Sequence, residues 1–313
     1  MNKLKKRFKS MACIFLCCIM MTGCDKGTLC NAQFNLSERL YWISFDDSAA
    51  YLCCTDNAND IQKIKLEDGY EYDIISNEDG GIYIVRYSDR GEQILYTVNG
   101  NIELKQACTL HISDIQYAFA IDDRFLYYIV DMPSEQVCIA KYDFEDKTQS
   151  IISNTYKRTY CQVNPSVEKE KIIYSKEAVF PDNSVYMIEG NVEKKLVKGE
   201  NPIWSDDGTF LYIYKNKVYK SNVNSAESEQ LTVKGGKPIK ISPRNISCGG
   251  IDVSRDGKFI AYYASKEAPR ALFFKMDSVT PELRLINLTT GEEITIPIQK
   301  KEHVVGSMVC FVN

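Results

Sequence analysis

The stretch Trp204-Ser205-Asp206-Asp207-Gly208-Thr209-Phe210-Leu211-Tyr212 decides the fold, because it returns along the chain. Val253-Ser254-Arg255-Asp256-Gly257-Lys258-Phe259-Ile260-Ala261-Tyr262 is a second clear copy. Ser88-Asp89-Arg90-Gly91-Glu92-Gln93-Ile94-Leu95-Tyr96 aligns with them without gaps. Fainter copies start at Ser44, Ala120 and Ser166 and close on Tyr51-Leu52, Tyr127-Tyr128 and Ile173-Tyr174. Successive starts lie 44, 32, 46, 39 and 49 residues apart. Each copy reads as a strand, a tight turn and a second strand. Ser and Asp hydrogen-bond the turn backbone, and Gly takes the positive φ that other residues avoid. The outgoing strands, such as Phe259-Ile260-Ala261-Tyr262-Tyr263, are β-branched and aromatic.

Two further strands follow in most units. In the last they read Leu283-Arg284-Leu285-Ile286-Asn287-Leu288 and Ile294-Thr295-Ile296-Pro297. In the third they read Val137 to Tyr142 and Gln149 to Ile152. A period of about 40 residues with four strands per unit is the pattern of a β-propeller. One blade cannot bury both of its faces, so blades stack until a ring closes. The expectation is an all-β chain with six four-stranded blades in a single domain over residues 38–313. Seven blades follow if residues 28–36 and the tail Val304–Val312 build a partial extra one. Otherwise the tail pairs with the first or last blade and closes the ring.

The phrase W-S-x-D-G-x-x-L/I-x-Y resembles the propeller repeat of the TolB-like family and of prolyl-oligopeptidase-like peptidases. Those repeats usually read F/W-S-P-D-G; here Asp206 or Arg255 stands where Pro is usual. The resemblance covers most of residues 38–298. It implies a propeller and no particular activity.

The N-terminus reads as a targeting segment. Lys3, Lys5, Lys6, Arg7 and Lys9 precede an apolar run, Met11 to Met21, too short to span a bilayer. Met21-Thr22-Gly23-Cys24 then resembles a bacterial lipobox. That resemblance implies a signal peptide over 1–23, a lipidated Cys24, a stem over 24–37 and a globular part held outside the cytoplasm at a membrane. Two or more lipid chains would anchor the protein firmly.

Removing residues 1–23 takes five basic residues and no acidic ones, moving the formal net charge from −4 to −9. An acidic chain argues against nucleic acid as a partner. Of 12 cysteines, Cys13, Cys17 and Cys18 lie in the signal segment. Cys53 and Cys54 are adjacent on a strand and point to opposite faces. Ring closure brings the termini together, which makes Cys310 with Cys30 or Cys54 the disulfide candidates. The remaining cysteines read equally well as small buried apolar residues. No C-x-x-C or Cys/His cluster suggests zinc, and no cofactor motif is present.

Catalytic signatures are missing as well. The sequence has two histidines, His111 and His303, and no G-x-S-x-G, H-E-x-x-H or Gly-rich phosphate loop. Asp46, Asp47, Asp122, Asp123, Asp206, Asp207 and Asp256 all fall inside the repeated turn, where backbone capping explains them. The expected function is therefore a membrane-anchored, non-catalytic scaffold that binds a protein or an envelope component through rim loops. The alternatives are a propeller glycan hydrolase or lyase and an accessory subunit of a larger envelope complex. The partner-binding candidates are Phe273, Phe274 and Met276 in the insertion Lys266–Pro281, and Lys237 and Arg244 in the long link Val233–Cys248. The partner and the oligomeric state are not written in the sequence.

Overall fold

The structure is a computed structural model. It describes residues 35–312 apart from 46–48, 58–59, 78, 89–91, 113, 134–135, 154–155, 158–165, 169–170, 177–182, 191, 207, 226, 234, 242–245, 266–280 and 297–309. The compact unit Phe34–Asn313 is all β.

In chain order the first strands are β1 (Asn35–Phe45), β2 (Ala50–Asn57) and β3 (Gln62–Lys65). Blade 2 is β4 (Glu71–Ser76), β5 (Ile82–Tyr87), β6 (Glu92–Val98) and β7 (Leu104–His111). Blade 3 is β8 (Ile115–Ile121), β9 (Phe125–Met132), β10 (Gln136–Asp143) and an outer edge shared by β11 (Thr148–Ile151) and β12 (Tyr156–Lys157). Blade 4 is β13 (Ser166–Glu168), β14 (Lys171–Lys176), β15 (Ser184–Glu189) and β16 (Val192–Lys198). Blade 5 is β17 (Glu200–Asp206), β18 (Thr209–Tyr214), β19 (Lys217–Asn222) and β20 (Ser228–Gln230). Blade 6 is β21 (Ile246–Val253), β22 (Phe259–Ser265), β23 (Pro281–Asn287) and β24 (Glu293–Ile296). The last strand, β25 (Cys310–Val312), pairs antiparallel with β1 and completes blade 1 in the order β25-β1-β2-β3.

Contacts between blades identify the inner strands. They run β4 to β8, β8 to β13, β13 to β17, β17 to β21, β21 to β25 and β25 back to β4. The ring is therefore closed, and it has six blades. Its core is six buried clusters, one at each interface. Strand alternation feeds them. On β1, Leu40 and Trp42 pack toward blade 6, while Tyr41 and Ile43 pack toward blade 2. Cys53 and Cys54 divide in the same way, as their adjacency predicts. Inner strands crowd the axis, and the pairs β8–β9, β17–β18 and β21–β22 each carry a register shift, the bulge that adds local twist.

The repeat differs from its sequence reading in phase. Ala120, Ser205 and Ser254 lie at or beside the turn from an inner strand to the second strand, and Ser166 opens the short inner strand β13 that leads into one. Ser88 lies between β5 and β6, and Ser44 is the last residue but one of β1, the second strand of blade 1, before its connection to β2. The true copy in blade 2 is Ser76-Asn77-Glu78-Asp79-Gly80, between β4 and β5. There Asn77 caps the turn, accepting the Gly81 N–H through its side chain and the Gly80 N–H through its carbonyl, and Gly80 has φ +86°. Blade 1 has no such turn, because its inner and second strands come from opposite ends of the chain.

β1 begins at Asn35, inside the segment read as a stem, and Leu36 already packs against the core. Cys54 is a free, buried thiol that burial pushes up to about 11. Its backbone partner across β1 is Tyr41, which on its other side pairs with Cys310. Two strand spacings of roughly 4.8 Å separate Cys54 from Cys310, beyond the roughly 7 Å between α-carbons that a disulfide allows. That pairing does not fit the register; Cys30 lies outside the described residues. Cys138 is also a buried free thiol, Cys53 is buried with its sulfur 3.3 Å from the Ser44 hydroxyl, and Cys108 is half-buried.

Phe311 is 3 % exposed in the cluster joining blades 6 and 1. Losing a buried aromatic costs about 3–5 kcal/mol, and a domain of this size loses about 2–4 °C per kcal/mol. Deleting residues 304–313 should therefore lower the thermal midpoint by about 10 °C or more. An unchanged melting curve would show that β25 does not hold the ring.

Candidate functional site

An antiparallel meander sends its connections alternately to two rims. Inner-to-second and third-to-outer connections lie on one, called here the turn rim. Second-to-third connections and the links between blades lie on the other, the connection rim. On the turn rim no connection exceeds the five residues of 77–81, 99–103, 223–227, 254–258 and 288–292. The connection rim carries 158–165, 177–183, 231–245, 266–280 and 297–309. Every long segment thus leaves from one side of the ring.

Both partner-binding regions read from the sequence attach there. Lys237 is exposed in a small hairpin where its carbonyl accepts the Val233 N–H at 2.9 Å. Gly236, at φ +76°, turns the chain back beside it. Arg244, Phe273, Phe274 and Met276 lie outside the described residues, as do Cys24 and His303. His111 is the exposed last residue of β7.

The turn rim holds a network that the sequence reading missed. Glu38 on β1 is buried, and its carboxylate accepts the Arg255 N–H at 3.1 Å and the Asp256 N–H at 3.3 Å. The Ser37 hydroxyl donates to Asp256 at 3.1 Å. Arg255 reaches onward from blade 6 to blade 2, donating from its guanidinium to the Asn77 carbonyl at 3.2 Å and lying against Gly80. Burial pushes the Asp256 carboxyl up, but hydrogen bonds from Lys258, Ser254 and Ser37 outweigh it and hold it near about 2. Asp122 does the equivalent work in blade 3, accepting the Arg124 and Phe125 N–H groups at 2.8 and 2.6 Å. Turn chemistry accounts for both carboxylates, as their place in the repeat predicts.

Two carboxyls near the axis are different. Asp73 on β4 is buried and accepts the Ala118 N–H of β8 at 3.0 Å and the Tyr87 hydroxyl. Asp252 on β21 accepts the Phe311 N–H of β25 at 2.8 Å. Burial pushes each up to about 7. Asp252 keeps more solvent exposure as a residue, so Asp73 is the cleaner titration probe. Each sits in an apolar strand, Glu71-Tyr72-Asp73-Ile74-Ile75 and Ile251-Asp252-Val253, and a lone Asp in such a run is the signal that could have found them. Among the described residues no group of three or more His, Cys, Asp or Glu is placed to hold a metal ion, and no helix is long and apolar enough to cross a membrane.

The raised carboxyls set a pH dependence. Between about pH 4 and pH 7 the folded state binds protons that the unfolded state has released, so stability is greatest at the acid end and falls as pH rises through 7. Asp73→Asn should flatten that fall, measured by denaturant unfolding from pH 4.5 to 8. An unaltered slope would mean that Asp73 does not titrate in this range. At the other clasp, Arg255→Pro restores the residue usual in such repeats but removes the N–H that Glu38 accepts. A buried acceptor stripped of a partner costs about 1–3 kcal/mol. The variant should melt several degrees below wild type, and equal midpoints would remove Glu38 from the closure.

No protein-family model matches this chain, and no curated protein is significantly similar to it. Solved structures do match. TolB from Acinetobacter baumannii superposes with a TM-score of 0.58 at 11 % identity, over 89 % of this chain and 67 % of TolB. A prolyl endopeptidase aligns at 0.44 and 11 %, over 87 % of this chain and 50 % of its own. The acylaminoacyl peptidase of Pyrococcus horikoshii aligns at 0.46 and 12 %, over 85 % and 52 %. This chain thus spans about half the length of the two peptidases. At such identities the likeness is one of fold, and the fold is a six-bladed propeller of the kind seen in TolB.

Proposed function

We propose that this protein is a membrane-tethered, non-catalytic propeller that binds a protein or another envelope component through its connection rim. The observation that carries the reading is the one-sidedness of the connections. Loops beyond about 12 residues are uncommon in compact domains unless they serve a function. Here 266–280 and 297–309 join strands on one rim of a closed ring, as does 231–245, which carries a small hairpin and the buried Ile239 and Ile241. Loops on a rigid frame vary freely in sequence, which suits them to recognition. The sequence of 266–280 contains the apolar run Leu272-Phe273-Phe274-Lys275-Met276, and that of 231–245 contains Lys237 and Arg244. Aromatic residues, Met and Arg are enriched at protein interfaces. The fold-level likeness to TolB is consistent with a scaffold.

Tethering through Cys24 is part of the same proposal, resting on the lipobox-like Met21-Thr22-Gly23-Cys24. The net charge of −9 after removal of residues 1–23 disfavours nucleic acid as the partner. The rival reading is glycan hydrolysis. It draws on Asp73 and Asp252, whose values of about 7 suit a general acid. Both, however, direct a carboxylate oxygen at the backbone of the next blade.

The test is an affinity capture of the full-length protein from crosslinked membranes, run beside Cys24→Ala and a Phe273→Ser/Phe274→Ser double variant. A stoichiometric protein partner is expected, diminished by the first change and lost with the second. A folded, abundant protein that captures nothing would sink the scaffold reading and send the search to glycans.

A further inference from the structure

Blades 2 and 3 leave a cavity of about 320 Å³ between them, to which blade 3 contributes the turn-rim residues Asp122, Asp123, Phe144 and Lys147. That volume is at the small end of the range for small-molecule sites. Its floor is apolar, from Leu95, Leu110 and Ile121. Its walls are aromatic, from Tyr83, Tyr142 and Phe144, and the last two rings meet edge to face at 5.9 Å and 71°. Its open end is formed by exposed turn residues, Asp123 after β8 and Lys147 after β10.

The charges at that end are not equivalent. Asp122 is occupied by the Arg124 and Phe125 N–H groups and by the Tyr127 hydroxyl at 3.1 Å. Arg124 is held in turn by Asp143, Glu145 and Asp146. Asp123 has no side-chain partner among the described residues. The Tyr83 hydroxyl is pushed up by burial and then by the nearby carboxylates of Asp123 and Asp79. Two carboxylates, Asp122 and Asp123, therefore line the cavity against Lys147. Aromatic faces also attract cations, most strongly where water is excluded. An anionic ligand would meet those carboxylates, whereas a cationic one can pair with Asp123.

We propose that this cleft is a binding site for a small organic cation with an apolar body, of the arylalkyl-ammonium class. The ring occupies the space between Tyr83 and the Tyr142–Phe144 pair, and the ammonium group lies at Asp123. The site goes beyond the proposed scaffold function and does not depend on it.

Phenethylammonium and 3-phenylpropionate share an aryl body and differ in charge, so they are the probes. Binding to the full-length protein is read by calorimetry. A second readout is site-resolved alkylation of Cys108, whose half-buried thiol lines the cavity while Cys53, Cys54 and Cys138 are at most 1 % exposed. The ammonium probe should bind saturably at one site, slow Cys108 alkylation, and exceed the carboxylate probe roughly tenfold or more. Asp123→Asn should weaken the ammonium probe roughly three- to thirtyfold and leave the melting temperature unchanged, since the residue is exposed. Lys147→Glu should tighten it. Equal binding of both probes, insensitive to Asp123→Asn, would reveal a merely apolar cleft and overturn the proposal. So would absence of saturable binding, or of Cys108 protection, at millimolar probe.

Discussion

A four-stranded blade has two apolar faces and no means of covering them alone. Chain continuity brings five of the six interfaces together, because consecutive blades follow one another directly in the chain, the longest link being 231–245. The sixth interface, between blades 6 and 1, must be made by segments from the two ends of the chain. β25 supplies it by pairing with β1 over Arg39–Val312, Leu40–Phe311 and Tyr41–Cys310. Closing so long a loop is entropically unfavourable, though the cost grows only slowly with length. It is offset by burial of Phe311 with Leu40, Trp42, Tyr263 and Leu285 in one cluster. Every other interface is then held on both sides by neighbours that cannot splay.

Closure also explains why this repeat departs from the usual pattern at Arg255. Proline at that position would carry no N–H. Glu38, arriving on β1 from the start of the chain, needs donors once it is buried, and the Arg255 and Asp256 N–H groups meet it at 3.1 and 3.3 Å. Charge-assisted bonds of this kind are stronger than neutral ones. The guanidinium has a second use. Blade 1 lacks an inner turn, which leaves a gap on that rim between the turns of blades 6 and 2. Arg255 spans it to the Asn77 carbonyl at 3.2 Å. Arg39 ties the same blade to blade 2 by donating to the Gly100 carbonyl at 2.7 Å.

The architecture was legible in the sequence because the turn chemistry recurs, and β22, β23 and β24 fall where the strand-like runs lie. Phase was not legible. Ser88-Asp89-Arg90-Gly91 matches the phrase better by residue type than Ser76-Asn77-Glu78-Asp79-Gly80-Gly81 does, yet only the second stands at an inner turn. Local composition marks a tight turn and cannot say which pair of strands it joins; that depends on pairing with Phe311, more than 200 residues away. The clasp residues were hidden for the same reason. Glu38 lies in Asn35-Leu36-Ser37-Glu38-Arg39, which reads as solvated until β1 is placed beside blade 6. The groove walls, Tyr83, Tyr142 and Phe144, come from two blades and share no sequence signal at all. Asp73 and Asp252 were readable, since an isolated carboxylate in an apolar strand demands an explanation.

That explanation lies in the edge problem at the axis. An inner strand pairs with the second strand of its own blade and with nothing on its other edge, so its N–H groups there lack ladder partners. Leaving them buried and unpaired is costly. Water could serve where the channel is wide enough, but a side chain from the adjacent blade serves and also fixes how the two blades sit. Asp73 does this for Ala118, with the Tyr87 hydroxyl bonded to the same N–H at 2.8 Å, and Asp252 does it for Phe311. A leucine in place of Asp252 would add apolar contact and take the side-chain acceptor from the Phe311 N–H. Burial raises both carboxyls to about 7, so near neutrality each is partly protonated. A protonated carboxyl still accepts at its carbonyl oxygen and avoids a buried charge. The axis is thus built to tolerate the uncharged form of its own clasps. Each carboxyl thus holds one blade to the next through a single oxygen, Oδ2 in both residues.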